Sequence, residues 1–469
     1  MHACYELRPL ISWEDGCTSQ SLARQTEPQR EPANHARTIN QDHLIRQMLS
    51  RPNLNNRAYK IHGPIPTQHP HFPAILKLEM NNARQLSLLL VFRVTRTLSA
   101  GLIAVVFPYY VLTEFHYSAF TLGLIYAAAT VATAAFALLF GYLADVWSRK
   151  WTLLLAGLLL PLGAVLAFSS GHLAILFAAA MLGGFSATGA RASGAAGGAA
   201  QPVQNAVIAD LTDLSNRTRY FAIFVFLSGL AGAGGMLMAK AVGGRDAFLA
   251  AFLVSGIGIL FILPLTFPDR RSIRGSKLRL KSLKAIGKFS ITGAVNGFSQ
   301  GLIMPFLIPF FVIVYHIPRQ RMAVYGFIAE ILSSTALLLA PSIERSIGFV
   351  KGVAFTRGAG ALLLLMLPLA RNLPLALAIY VLTPTLRVVA VPAQQTALTA
   401  MVHENETARA MGVSQVARLS ASTGAILFTG YAFGAEDIAL PFYAYAAVIA
   451  FSLVLYFRFF GARPELRPD

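Results

Sequence analysis

From residue 87 to residue 460 the chain is a succession of apolar runs broken by short polar segments. A membrane β-barrel alternates apolar and polar positions in segments of about ten. Here the runs are continuous and roughly twenty residues long, the length an α-helix needs to cross a bilayer. The pattern predicts an all-α polytopic membrane protein with twelve spans, at 87–113, 118–143, 151–169, 172–208, 219–241, 247–267, 285–315, 322–343, 349–369, 373–401, 409–433 and 439–460. The fourth is too long for one straight span at about 1.5 Å per residue. Its excess is a glycine- and alanine-rich stretch around Arg191, read either as a break lining a cavity or as a tilted helix with an extension.

Residues 1–84 are polar and rich in Pro, Arg, Asn, Gln and His, without a secretory pattern. They are expected to form a disordered tail. Met80, followed directly by the first apolar run, is an alternative translation start.

Composition agrees with the pattern. Of 469 residues, 55% are hydrophobic and 13% charged, with a mean hydropathy of +0.57; soluble proteins carry about 25% charge. The net charge of +18 would point to nucleic acid in a soluble protein. Here the bases concentrate in the tail and in alternate loops, which reads as membrane orientation and not as nucleic-acid binding. One side receives Arg149, Lys150, Arg217, Arg219, a basic run between Arg270 and Lys281, Arg345, Lys351, Arg409, Arg463 and Arg467. The other receives Arg245, Arg319, Arg321 and Arg371. The positive-inside bias puts the first side, and both termini, in the cytoplasm of a cell (plasma or inner) membrane. Both cysteines, Cys4 and Cys17, lie in the tail, so disulfides do not hold the spans together.

The basic linker 268–284 separates an N-terminal six-helix bundle, 85–267, from a C-terminal one, 285–460, with a short tail at 461–469. The bundles repeat. Ser99-x-Gly101-Leu102-Ile103 followed by Pro108 matches Ser299-x-Gly301-Leu302-Ile303 followed by Pro309. Pro202-x-Gln204 leads to Arg219 at the spacing by which Pro392-x-Gln394 leads to Arg409. Repeats running in one direction imply halves related by an axis along the membrane normal.

Between the second and third spans lies Gly141-Tyr-Leu-Ala-Asp145-Val-Trp-Ser-Arg149-Lys150. With twelve spans, a six-plus-six parallel repeat and a basic central loop, this motif resembles the major facilitator superfamily, whose signature there is Gly-x-x-x-Asp-Arg-x-Gly-Arg-Arg/Lys. Val146 and Ser148 depart from it. The resemblance implies that Asp210 pairs with Arg149, that Asp145 sits near the start of span 11, and that Gly141, Asp145, Arg149, Lys150 and Asp210 form a gating latch. Gly229-x-x-Gly232-x-Gly234-Gly235 resembles the antiporter motif of drug exporters but lacks its proline. Close helix packing is the favoured reading of these small residues.

Ionisable residues inside spans cost about 2.5–3.5 kcal/mol each at the bilayer centre, so Arg93, Arg96, Arg191, Glu330, Arg357, Arg387 and Arg418 require water, a counter-charge or headgroups. Arg93 either snorkels or faces a cavity; Arg96, a turn deeper, is expected to face one. At the repeat offset Arg96 corresponds to Asn296, and Asn296, Ser299 and Gln300 share a helix face, as do Arg93, Arg96 and Ser99. In the family resembled, spans 1, 4, 7 and 10 line the central cavity, which implies that Arg191, Arg387 and Gln394 join it. Such a cavity is cationic and fits an anionic or strongly polar solute or drug. The alternative for Arg191 and Arg387 is binding to backbone carbonyls or gating salt bridges. Glu330 is read as a proton-coupling group or as a fixed counter-ion to Arg357 or Arg418.

The function expected is secondary transport of a small molecule by alternating access, coupled to protons, by a monomer whose other partner is the lipid bilayer. No cofactor and no metal are expected. No His-Glu-x-x-His motif, no cysteine pair in a span and no nucleotide-binding loop argue for an enzyme or an ATP-driven pump. A transport-inactive receptor on the same fold is the alternative, with a membrane-embedded enzyme behind it.

Overall fold

A computed structural model of the chain describes residues 72–185, 198–266, 283–339, 349–401 and 407–460. Side chains are described there except at 72–81, 145, 214–215, 217–218, 339, 349, 390–401 and 407–411. Arg191, most of the linker 268–284 and the tail 461–469 lie outside the described residues.

The described residues form helices and no strand. Twelve-span order is kept by α1 (Phe72–Tyr109), α2 (Ala119–Val146), α3 (Arg149–Ser169), α4 (Leu173–Gly183) with α5 (Gln201–Leu211), α6 (Leu214–Met238) and α7 (Gly244–Leu260) in the first half. The second half holds α8 (Leu283–Ile303) with α9 (Leu307–Tyr315), α10 (Arg319–Ala336), α11 (Phe349–Met366), α12 (Leu373–Met401), α13 (Thr407–Gly434) and α14 (Leu440–Phe460). Among the described residues, six segments are long and apolar enough to cross a membrane on length and composition alone. Helix α4 is too short for this, and α10 carries Arg319, Arg321 and Glu330.

Three sequence boundaries need correction. The first helix starts at Phe72, so residues 72–84 are helical and not tail. The seventh span is not continuous: a 3-10 turn at Met304–Phe306 separates α8 from α9. Pro305 explains it, since proline offers no N–H to the helical ladder and clashes with the preceding turn. In the fourth span α4 ends at Gly183, with Gly184 left-handed at φ 67°, and helix resumes after Gly198. A left-handed glycine is a common helix terminator, so this span is not one straight tilted helix.

Packing repeats between the halves. In the first, α1 packs on α6 and α7, α3 on α4 and α7, and α2 on α4. In the second, α8 packs on α13 and α14, α11 on α12 and α14, and α10 on α12. Across the halves α2 meets α13 and α6 meets α10. Each of these pairings has its counterpart six spans on. The backbone repeats too. Helix α1 ends in a π turn (Tyr110–Glu114) before His116, and α9 ends before His316. Both histidines are left-handed, at φ 53° and 48°. The following residues close the same loop, Tyr117 N–H donating to the Val111 carbonyl and Ile317 N–H to that of Phe311.

The largest apolar core joins both halves at the end away from the basic loops, through Phe107, Tyr126 and Phe248 of one and Phe306, Phe311 and Phe433 of the other. Among the described residues, the core nearest the basic loops contains first-half residues, including Phe92, Phe140, Leu153, Val207 and Ile262.

Candidate functional site

The halves are clamped at the end opposite the basic loops. The Tyr109 hydroxyl donates to the Ile317 carbonyl at 2.7 Å. Arg319, first residue of α10, donates to the carbonyls of Ala239 and Val242, just beyond the end of α6. A cation there meets the negative pole of the helix as well as unpaired carbonyls. Between α2 and α13, a Cβ on Gly123 would stand 2.7 Å from the Gly430 Cα, and one on Gly434 2.9 Å from the Phe120 Cβ. A cavity of about 320 Å³ lies at this closed end, lined by Tyr109, Thr113, Glu114, Ile317, Arg319 and their neighbours. Arg319 and Tyr109 were not singled out from sequence; loop position alone carries no signal of which carbonyls a base will reach.

At the basic-loop end the motif residues bond within the first half. Arg149 forms an ion pair with Asp210 and donates to the Ala206 carbonyl at 3.4 Å. Lys150 donates to the Leu263 carbonyl at 2.6 Å, tying α3 to the turn after α7. Gly141 faces Pro202 at the start of α5. The side chains of Asp145 and of the first residues of α13 lie outside those described. Gly412, near the start of α13, has open space where a Cβ would stand.

Arg93, Arg96 and Ser99 are buried, but they bond to three different helices. Arg93 donates through Nε to the Ser228 hydroxyl of α6 at 2.9 Å and lies over Phe224. Arg96 donates to the Ala156 carbonyl of α3 at 3.2 Å, and its other Nη stands near Gly198 before α5. Ser99 donates to the Ala251 carbonyl of α7 at 3.1 Å. Positions i, i+3 and i+6 drift by about 60° per step on a helix, so one nominal face fans out over several neighbours.

In the second half Asn296, Ser299 and Gln300 are buried on α8. Ser299 bonds the carbonyl of Asn296 on its own helix. Gln300 accepts from Arg418 of α13 at 3.5 Å, where α8 and α13 pack so closely that a Cβ on Gly297 would run into the Arg418 backbone. Arg357 donates to the Ser452 hydroxyl at 3.3 Å and lies 4.9 Å from the centre of the Tyr456 ring, both on α14. Arg387 of α12 is buried, within electrostatic reach of Arg357, Arg418 and the Tyr445 hydroxyl. The side chain of Gln394 lies outside those described.

Glu330 is buried where α10 crosses α6 and α1. A Cβ on Gly232 would meet Thr97 of α1 at 3.4 Å and Glu330 at 3.9 Å. The contacts of Arg357 and Arg418 go to α14 and α8. The glycine motif of α6 packs: Gly232 and Gly235 face α1, and Gly229 faces Ser334 of α10.

A profile described as Major Facilitator Superfamily matches residues 89–426. No curated protein matches the chain in sequence. Among solved structures, the D-xylose–proton symporter is similar at TM-score 0.63 and 14% identity, over 83% of this chain and 99% of that one. A bacterial homologue of the human lysosomal transporter Spinster, inward-facing and unoccupied, is similar at 0.59 and 14%, over 81% and 96%. The human organic anion transporter MFSD10 is similar at 0.58 and 16%, over 80% and 99%. At these identities the likeness is one of fold, and with the profile match over most of the chain it shows that this protein belongs to the major facilitator superfamily.

Proposed function

We propose that this secondary transporter moves a small anionic or strongly polar solute by alternating access of its two halves, with the form described here open toward the basic loops. The observation that carries the reading is the uneven joining of the halves. The shared apolar core and the Tyr109 and Arg319 bonds lie at one end, while among the described residues the core at the other end is built from the first half. The loop charges favour the cytoplasm for the open side, the inner or plasma membrane as the setting, and both termini inside. The solute would meet the buried polar positions of α1, α8 and α12, with Arg191 and Gln394 retained as candidates.

Glu330 is the proposed proton-coupling group. It is the acid at the crossing of α10 with α6 and α1, a contact between halves that rocking must alter. The Arg149–Asp210 pair is proposed to hold the α3–α5 geometry that the cycle needs. Reconstituted protein should accumulate anionic solutes from a pooled panel, and accumulation should depend on a pH gradient. Uptake of cationic drugs alone would overturn the reading.

A further inference from the structure

We infer that the negative end of the solute binds in the second half, on Arg387 and Arg418, and that the solute is a small oxyanion with two negative charges, as in a dicarboxylate or a phosphate. This rests on the transporter reading above and narrows its site. The two arginines come from neighbouring helices, α12 and α13, and Arg418 gives one donor to Gln300. Arg96 gives a donor to a carbonyl and Arg357 to a hydroxyl and a tyrosine face. One Nη of Arg387 and the Nε of Arg418 are buried with no hydrogen-bond partner. Arg387 is 7% exposed.

Two neutral donors stand with them. The Tyr445 hydroxyl, from α14, is buried beside Arg387 and within its hydrogen-bonding reach, and the Ser422 hydroxyl, one turn along α13 from Arg418, is buried without a partner. Among the described residues neither arginine is paired with a carboxylate, and Arg357 adds a third positive charge nearby. Buried N–H donors of like charge are costly unless something negative reaches them. A bidentate guanidinium matches the paired oxygens of carboxylate or phosphate. Arg418 is partly exposed, while its Nε is buried.

The test uses purified full-length protein in detergent, with inorganic phosphate, succinate and acetate as probes, read by calorimetry and by thermal melting. Phosphate or succinate should bind saturably and raise the melting temperature, with acetate at least tenfold weaker. Arg387→Gln and Arg418→Gln should weaken binding at least tenfold and the matching lysine variants should recover part of it, while exposed Arg321→Gln binds as the unaltered protein does. Should the glutamine variants fail to fold, phenylglyoxal labelling of the unaltered protein takes their place. Phosphate or succinate should then protect Arg418 and leave Arg321 reactive. Unchanged affinity in both variants, or equal labelling of Arg418 with and without the dianions, overturns the inference. So does transport of a neutral solute with no dianion binding, an outcome that leaves the transporter reading standing.

Discussion

Arg149, the first residue of α3, is ion-paired with Asp210, the penultimate residue of α5. Each stands at the unfavourable pole of its own helix, a cation at an N-terminus and an anion near a C-terminus. Together they cancel, and the pair joins the start of the third span to the end of the fourth at the basic-loop end. The bond is internal to the first half, so it braces that half and does not bridge to the second.

Breaking this pair should therefore leave two misplaced charges. Arg149→Gln and Asp210→Asn should each lower stability by about 1 kcal/mol, and the double variant by less than the sum. A double-mutant cycle on chemical unfolding checks it. Under the proposed bracing role both single variants also lose turnover at normal expression; full turnover in both would remove that role.

Arg319 gives the second prediction. Its guanidinium caps the carbonyls after α6 from the opposite half. Arg319→Ala should move the population toward opening at that end by about tenfold, the worth of a charge-assisted cap. Spin labels at exposed His172 and Ala435, one in each half, would report a longer distance population. An unchanged distance distribution would show that the apolar core holds this end alone.

Gly123 and Gly430 set how near α2 and α13 come. Gly430→Ala would place a methyl 2.9 Å from the Gly123 Cα, and overpacking of this kind costs about 1–3 kcal/mol. The variant should melt earlier and show the same widening of label distance as Arg319→Ala. Gly412→Ala, with open space around it, should do neither.

Glu330→Gln keeps the shape and removes the titrating group. Accumulation driven by a proton gradient should be lost, while exchange of solute between the two sides continues. If the variant still concentrates its solute in response to the gradient, coupling resides elsewhere.

Composition identifies lipid as the solvent of this protein, because a chain so poor in charge cannot cover a water-facing surface. The sequence by itself also determined the order of twelve spans and the repeat, since run length, loop charge and paired motifs are local properties. The Arg149–Asp210 pair came from resemblance to a family and is present in the structure. The tertiary structure alone decided the partners of the buried polar residues. Periodicity places Arg93, Arg96 and Ser99 on one face of their own helix; three helices lie within reach of that face, and each residue takes a different one. It also decided that Arg357 and Arg418 meet α14 and α8, and at which end the described halves share a core. Those outcomes depend on which helices become neighbours and how closely glycine lets them approach, quantities set by the whole bundle and by no single span.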